Sequence, residues 1–411
     1  MPALSVFHFK TDWCENMDLT SQEKEMLDGK RGHAAKKSME ILVALGAIFG
    51  AARLVPVKSV QIAGVSYDNL GDAGLEYLES LSKDGKVTVK TTLNPAGMDL
   101  ENYKSLGISE DFAIKQKEVI SAFVKMGVDA SCTCTPYYVG NKPGLGEHVA
   151  WSESSAVAYA NSVLGARTNR EGGPSALAAA ICGRTPMYGM HLAENRQAQV
   201  VVKLGRAIKT TAEFGALGKA IGDKIGNKIP LIVGVKKPGG ECLKSLSASI
   251  ATYGGTSMFH MEGVTPEKTI VPKAGIIITE KDIAAALASM NDDGAEPDLI
   301  ALGCPHLSLG EMEKISSVFA GKKVVVETWL CVSRGVYKQA CELGIAEAIT
   351  ASGAKIACDT CMVVAPVAGR WKCVGTDSAK SCYYSRAKNK FKVRVASFDA
   401  CLSYAISKRW D

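Results

Sequence analysis

No apolar run in this 411-residue chain is long enough to cross a bilayer. The longest, 41–52, is about 12 residues, against the roughly 20 that a membrane-spanning helix needs. The N-terminus lacks a basic region followed by a small-residue cleavage site, so no signal peptide is expected and the cytoplasm is the expected location. No dense basic block occurs, and 48 basic against 42 acidic residues leave a net charge of only +6. That argues against an extended nucleic-acid surface. There is no Gly-x-x-x-x-Gly-Lys-[Ser/Thr] phosphate loop and no Gly-x-Ser-x-Gly elbow after a strand, which sets aside P-loop nucleotide chemistry and serine hydrolysis.

What remains is an ordinary globular composition, 47% apolar and 22% charged, long enough for two or three domains. Its one surplus is sulfur: thirteen cysteines. A disulfide scaffold does not suit this size and location. Cys14, Cys182, Cys242, Cys341, Cys373, Cys382 and Cys401 read as small buried hydrophobes. Cys132, Cys134, Cys304, Cys331, Cys358 and Cys361 keep more reactive company.

Periodicity predicts alternating strands and helices, and hence parallel sheets. Strands near 60, 86–90 and 128–131 each run into a turn rich in Gly, Ser, Asn or Cys. Strands 299–302, 323–327 and 355–357 each place a Cys just past their ends. Ligands of parallel sheets bind outside the carboxyl ends of the strands. Capping boxes open helices at Thr20-x-x-Glu23 and Ser308-x-x-Glu311. The expected divisions are an extension at 1–18, a subdomain at 19–230 with substrate loops, and a subdomain at 231–411 carrying strand-end cysteines.

The segment 131–173 is too irregular to be one element and too rich in aromatic and small residues to be a linker, so it reads as the rim of an active site. Arg167 and Arg170, beside Asn169 and two glycines, can grip a carboxylate or phosphate. Gly64-Val65-Ser66 and Asn94-Pro95 can add backbone and hydroxyl donors. Thr376-Asp377-Ser378-Ala379-Lys380 is a second anion candidate. Glu153, close to Trp151, is a candidate acid or base whose pKa partial burial would raise. Glu147 and His148 accompany it, and His306 could orient the loop of Cys304. Dispersed thiols converging on one sheet edge suit an iron–sulfur cluster better than zinc or a redox pair, although Cys358-x-x-Cys361 alone fits any of the three.

The motifs Ser59–Ser66, Thr92–Met98, Thr133–Tyr137, Trp151–Ser155, Ala160–Arg170, Gly303–His306, Ala357–Cys361 and Thr376–Lys380 resemble the aconitase X family. The resemblance runs from about 20 to 405. It implies an aconitase-like three-layer α/β core, mostly parallel sheets, and dehydration assisted by a [3Fe-4S] or [4Fe-4S] cluster. The implied ligands are Cys134, Cys304 and one of Cys358 and Cys361, with Cys358 preferred. The implied substrate contacts are Gly64, Val65, Ser66, Asn94, Pro95, Glu153, Ser154 and Lys380, with Glu153, Ser154 and Lys380 nearest the chemistry. Ser378, Arg167 and Arg170 join them from the anion reading above. A small swivelling domain fused to some members is absent here, so the resemblance implies a heterodimer with a separate small subunit. The implied reaction removes water from a small anionic hydroxy acid: (R)-5-phosphomevalonate, giving trans-anhydromevalonate 5-phosphate on an isoprenoid route. The alternative is cis-3-hydroxy-L-proline. A non-catalytic metal-binding or electron-transfer protein is the alternative of another class. Neither nucleic acid nor membrane is an expected partner.

Overall fold

The computed structural model describes residues 17–294 and 296–410. Most of the expected 1–18 extension, with Cys14, lies outside them.

The N-terminal sheet has three parallel strands in the order Lys90–Leu93, Ser59–Ile62, Ala150–Trp151. The second has four, His260–Met261, Pro230–Val233, Val200–Leu204 and Gly275–Ile278, again all parallel. The third has five parallel strands, Lys355–Cys358, Glu327–Val332, Leu299–Leu307, Cys373–Thr376 and Lys392–Val395. The architecture is therefore α/β with mostly parallel sheets. A two-stranded antiparallel pair, Leu54–Pro56 with Arg184–Pro186, is the exception. The second sheet pairs residues 200–204 with 230–233, so it runs across the division expected at 230. One apolar cluster includes residues from all three sheets, among them Trp151, Val202, Leu299 and Trp329.

Both capping boxes form as expected, at Thr20–Glu23 and Ser308–Glu311. Two strands sit later than their alternation predicts. The pattern at 86–90 gives way to a strand at Lys90–Leu93, because Val87 and Thr88 give their N–H groups to the carbonyls of Met126 and Ala180. The strand expected at 323–327 starts at Glu327, since Val324 and Val325 bond instead to Ser352 and Ala405. The strand expected at 128–131 shrinks to a single bridge between Asp129 and Thr92. Of the cysteines read as inert, Cys182, Cys373, Cys382 and Cys401 are buried, Cys242 is half-buried and Cys341 is exposed.

Two topological facts position the site. The three N-terminal strands end together, so Gly64-Val65-Ser66, Asn94-Pro95 and Ser152-Glu153 share one edge. In the five-stranded sheet the order reverses beside Leu299–Leu307, the switch point where such sheets open a crevice. From that crevice come Gly303-Cys304 on one strand and Thr376-Asp377-Ser378 after its neighbour.

Arg196 locks the irregular 161–170 segment. Fully buried, it donates to the carbonyls of Asn161, Ala166 and Met190 and pairs with Glu267 at 2.6 Å. Arg196→Leu leaves the Glu267 charge and three carbonyls without their partner. It is expected to cost about 3–5 kcal/mol, read as a lower thermal unfolding midpoint of the purified chain.

Candidate active site

A cavity of about 240 Å3 opens where the first and third sheets meet. Gly64, Val65, Ser66, Asn94, Pro95, Glu153, Ser154, Arg170 and Lys380 line it, joined by Asn69, Ser152, Val363, Val364, Tyr384 and Lys388. Nine of the residues expected at the site therefore meet in one space. Arg167 does not: it is half-buried and donates to the carbonyl of His191 at 3.3 Å, beside the stacked His148–His191 pair. Ser378 does not line this cavity; it lines a second, smaller one together with Cys304. It caps the helix Ala379–Ala387 and its hydroxyl restrains Cys304.

At the cavity's inner end Glu153 and Lys380 form a buried ion pair. Glu153 caps the helix Ser154–Tyr159, accepting from the Ser155 N–H at 3.2 Å and from its hydroxyl at 3.0 Å. Its other oxygen accepts from Asn94 at 2.9 Å. The expected rise in its pKa is corrected by this setting. Burial pushes the carboxyl up, but the Lys380 charge and these donors outweigh it and bring it from 4.5 down to about 2. Trp151 cannot dry it further, because its ring turns into the core and its indole N–H reaches Ser59. Burial opposes the Lys380 charge, yet Glu153 and the neighbouring thiols raise its pKa.

Three thiols neighbour the Glu153–Lys380 pair, although none of them is among the residues lining the cavity. Burial raises the pKa of Cys134, Cys304 and Cys361, while Lys380 favours each thiolate. Cys361 raises both Cys134 and Cys304, which places the three in one field. Cys358, the preferred third ligand, is not among them. Its side chain packs in the apolar cluster of the third sheet, and its surroundings are Arg334, Asp99 and Asp359. A strand turns successive side chains to opposite faces, and the turn after Cys358 brings Cys361 into the field of Cys134, Cys304 and Lys380. Cys331 is a fourth thiol within reach of the same three, and Cys132 packs in the N-terminal core.

His306 ties the thiol loops together. Its backbone N–H donates to Cys134 Sγ at 3.2 Å, and its ring spans Thr133 Oγ1 at 3.1 Å and the Thr360 carbonyl at 2.9 Å. Burial lowers its pKa to about 4, so the ring is neutral. The carbonyl partner fixes the proton on Nε2, and Nδ1 accepts from Thr133. Two strained residues feed the same loops: Cys132 at φ 40° and Asp359 at φ 61° each precede one of the three thiols by two positions. Such conformations cost about 1–3 kcal/mol each and persist where the surroundings impose them. Here Arg334 holds Asp359 at 2.5 Å and Asp99 at 2.7 Å, and Asp99 accepts the Cys358 N–H. Gly303 completes the fit. A Cβ there would lie 2.1 Å from the Cys331 carbonyl, so only glycine lets the strand bearing Cys304 approach.

Several contributors escaped the sequence reading. Gln61 sits in the fully buried strand Ser59–Ile62 and joins the Glu153 N–H to the Thr133 carbonyl. A polar residue inside a buried strand was the available signal. Tyr384 and Lys388 were missed, although they follow the expected Lys380 at four-residue steps, a spacing visible in the sequence.

Among the described residues no three His, Cys, Asp or Glu side chains are spaced to hold a single metal ion. A cluster differs, since its thiolates bind separate irons. The donor set fits one: three neighbouring thiols, amide donors to Cys134 and Cys361, a hydroxyl beside Cys304, and a nearby ammonium to offset thiolate charge.

Family models for the first, second and third domains of aconitase X match residues 16–194, 198–288 and 297–407. The chain belongs to the aconitase X family. It is 45% identical over 394 residues to the phosphomevalonate dehydratase large subunit of Methanosarcina mazei, covering 95% of this chain and 97% of that one. It is 46% identical over 385 residues to its namesake in Thermococcus kodakarensis, covering 92% and 97%. The cis-3-hydroxy-L-proline dehydratase of Hypocrea jecorina is 31% identical, covering 96% of this chain but 70% of that protein. The crystal structure of Thermococcus kodakaraensis aconitase X in its holo-form superposes with a TM-score of 0.89 at 44% identity, covering 95% of this chain and all of that one. This aconitase X chain has, among its described residues, no helix long and apolar enough to cross a membrane.

Proposed function

We propose that this chain is the large subunit of an iron–sulfur hydro-lyase that dehydrates (R)-5-phosphomevalonate to trans-anhydromevalonate 5-phosphate. The observation that carries the reading is the buried Glu153–Lys380 pair in the cavity wall, set against three neighbouring thiols. The greater likeness to phosphomevalonate dehydratases, against 31% for a hydroxyproline dehydratase, supports the substrate. The ligands would be Cys134, Cys304 and Cys361. A cluster held by three thiolates supplies Lewis acidity towards the departing hydroxyl.

The protein's own groups handle the proton. Dehydration takes a proton from the carbon beside the carboxylate and a hydroxyl from the next carbon. In the resting pair Glu153 is too weak a base, because Lys380 holds its pKa near 2. An incoming carboxylate that takes Lys380 removes that restraint. Burial then acts unopposed by the ammonium and raises Glu153 towards the range of a working base. Substrate binding thus generates the base. Asn94 and the Ser155 N–H keep the carboxylate aimed while its partner is taken. Ser66 and the backbone of Gly64-Val65 offer further donors at the wall.

The relatives' name, large subunit, supports a separate small subunit that closes the cavity. Co-expression with such a subunit, anaerobic cluster reconstitution and assay with both substrates tests the proposal. Turnover of phosphomevalonate with release of water is the expected result, and turnover of cis-3-hydroxy-L-proline alone overturns it.

A further inference from the structure

The helix Ala379–Ala387, with the helical C-cap residue Lys388 that follows it, runs along the cavity. Lys380, Tyr384 and Lys388 all line it, at successive four-residue steps. With 1.5 Å of rise per residue, Lys380 and Lys388 lie about 12 Å apart along the axis. Lys380 marks the thiol end. Lys388 is partly exposed and marks the mouth, which it shares with the exposed Arg170.

The charges along this face are unequal. The lining carries three cations, Arg170, Lys380 and Lys388, against one carboxylate, Glu153. Glu153 and Lys380 neutralise each other inside, so the cations left without a carboxylate partner in the lining are Arg170 and Lys388. The Lys388 ammonium is held loosely there, by Asp68 at 3.0 Å and by the Val364 carbonyl at 3.3 Å. Asp68 is itself 41% exposed, and such pairs are weak enough for a phosphate dianion to displace.

We propose that this helix is a ruler that selects substrates carrying a second anionic group one helix-face length from the carboxylate, with Lys388 and Arg170 receiving that distal group. The proposal deepens the reading above and rests on it for the orientation of the carboxylate towards Lys380. A ring amino acid carries its carboxylate and ammonium on one carbon. It engages the Lys380 end alone and leaves the mouth cations without a partner. Tyr384, half-buried between the lysines, walls the uncharged middle of the chain.

Kinetics of the reconstituted complex test the idea. Lys388→Met raises KM for phosphomevalonate by about 10- to 100-fold, the loss expected for a charged hydrogen bond. The effect falls on KM rather than kcat, and Lys388→Arg recovers most of it. Asp68→Asn releases Lys388 and lowers KM about two- to fivefold. Opposite directions for these two variants separate ligand recognition from a structural ion pair, which would make them behave alike. Calorimetry with ω-phosphonocarboxylates of increasing chain length keeps the ruler testable apart from turnover. Wild type shows a length optimum, and Lys388→Met loses it. A flat series in wild type, or a Lys388→Met variant indistinguishable from wild type, overturns the ruler. Absence of phosphomevalonate turnover together with an intact optimum overturns the substrate assignment instead.

Discussion

Glu153→Gln is expected to lower kcat/KM by about 10²- to 10⁴-fold, the range for loss of a positioned general base. The amide keeps the shape of the side chain and can still accept from Asn94 or Ser155. It cannot take a proton, and it leaves the Lys380 ammonium buried beside a neutral group. Removing one member of a buried pair costs about 3–5 kcal/mol, so the thermal midpoint should fall as well. The double variant Glu153→Gln/Lys380→Met separates the two effects: it should regain much of the lost stability and none of the activity. Unfolding and turnover measured on the same preparations check this, and an active double variant would remove Glu153 from the chemistry. The pair also predicts acid sensitivity. Glu153 has its pKa lowered from 4.5 to about 2 in the folded chain. Its stabilising contribution is complete above pH 4.5 and disappears as the pH falls towards 2.

The second large effect concerns the thiols. Cys361→Ser, like Cys134→Ser and Cys304→Ser, should abolish stable cluster incorporation, seen as loss of bound iron and of visible charge-transfer absorption after reconstitution. Cys358→Ser should retain both, because its thiol packs among apolar side chains away from the other three. Its cost should be a modest loss of stability at the Asp99–Arg334 junction. The reverse pattern, with iron lost from Cys358→Ser and kept in Cys361→Ser, would restore the ligand that the sequence favoured.

That choice shows where sequence reading stopped. Strand-end cysteines and the three N-terminal turns could be placed on sheet edges, because a parallel sheet sends every strand's carboxyl end the same way. Which of two cysteines three apart faces inwards depends on the backbone of a turn, here the left-handed Asp359 pinned by Arg334. Nothing in the local sequence fixes that. The expected shift in the pKa of Glu153 had the wrong sign. Its apolar neighbour Trp151 suggested a raised pKa, but the partner that decides the sign lies 227 residues away. Arg167 and Arg170 looked equivalent, yet Arg170 reaches the cavity while Arg167 turns to the His191 carbonyl. Strand positions moved where backbone groups at 87–88 and 324–325 were claimed by distant carbonyls, a tertiary effect that alternation does not register.

The 227-residue separation of Glu153 and Lys380 also sets an order of biogenesis. At a ribosomal pace of about 5–20 residues per second, Glu153 emerges roughly ten to forty seconds before its counter-ion. Throughout that interval the first sheet can form, but its carboxylate has no lysine to meet and must stay hydrated. Cys134 waits similarly for Cys304 and Cys361. The dry end of the cavity therefore closes only once residue 380 has been made, and the three thiols can receive iron as a set only after residue 361 has emerged. A nascent chain truncated before residue 380 should remain open at this edge and a target for thiol-alkylating reagents.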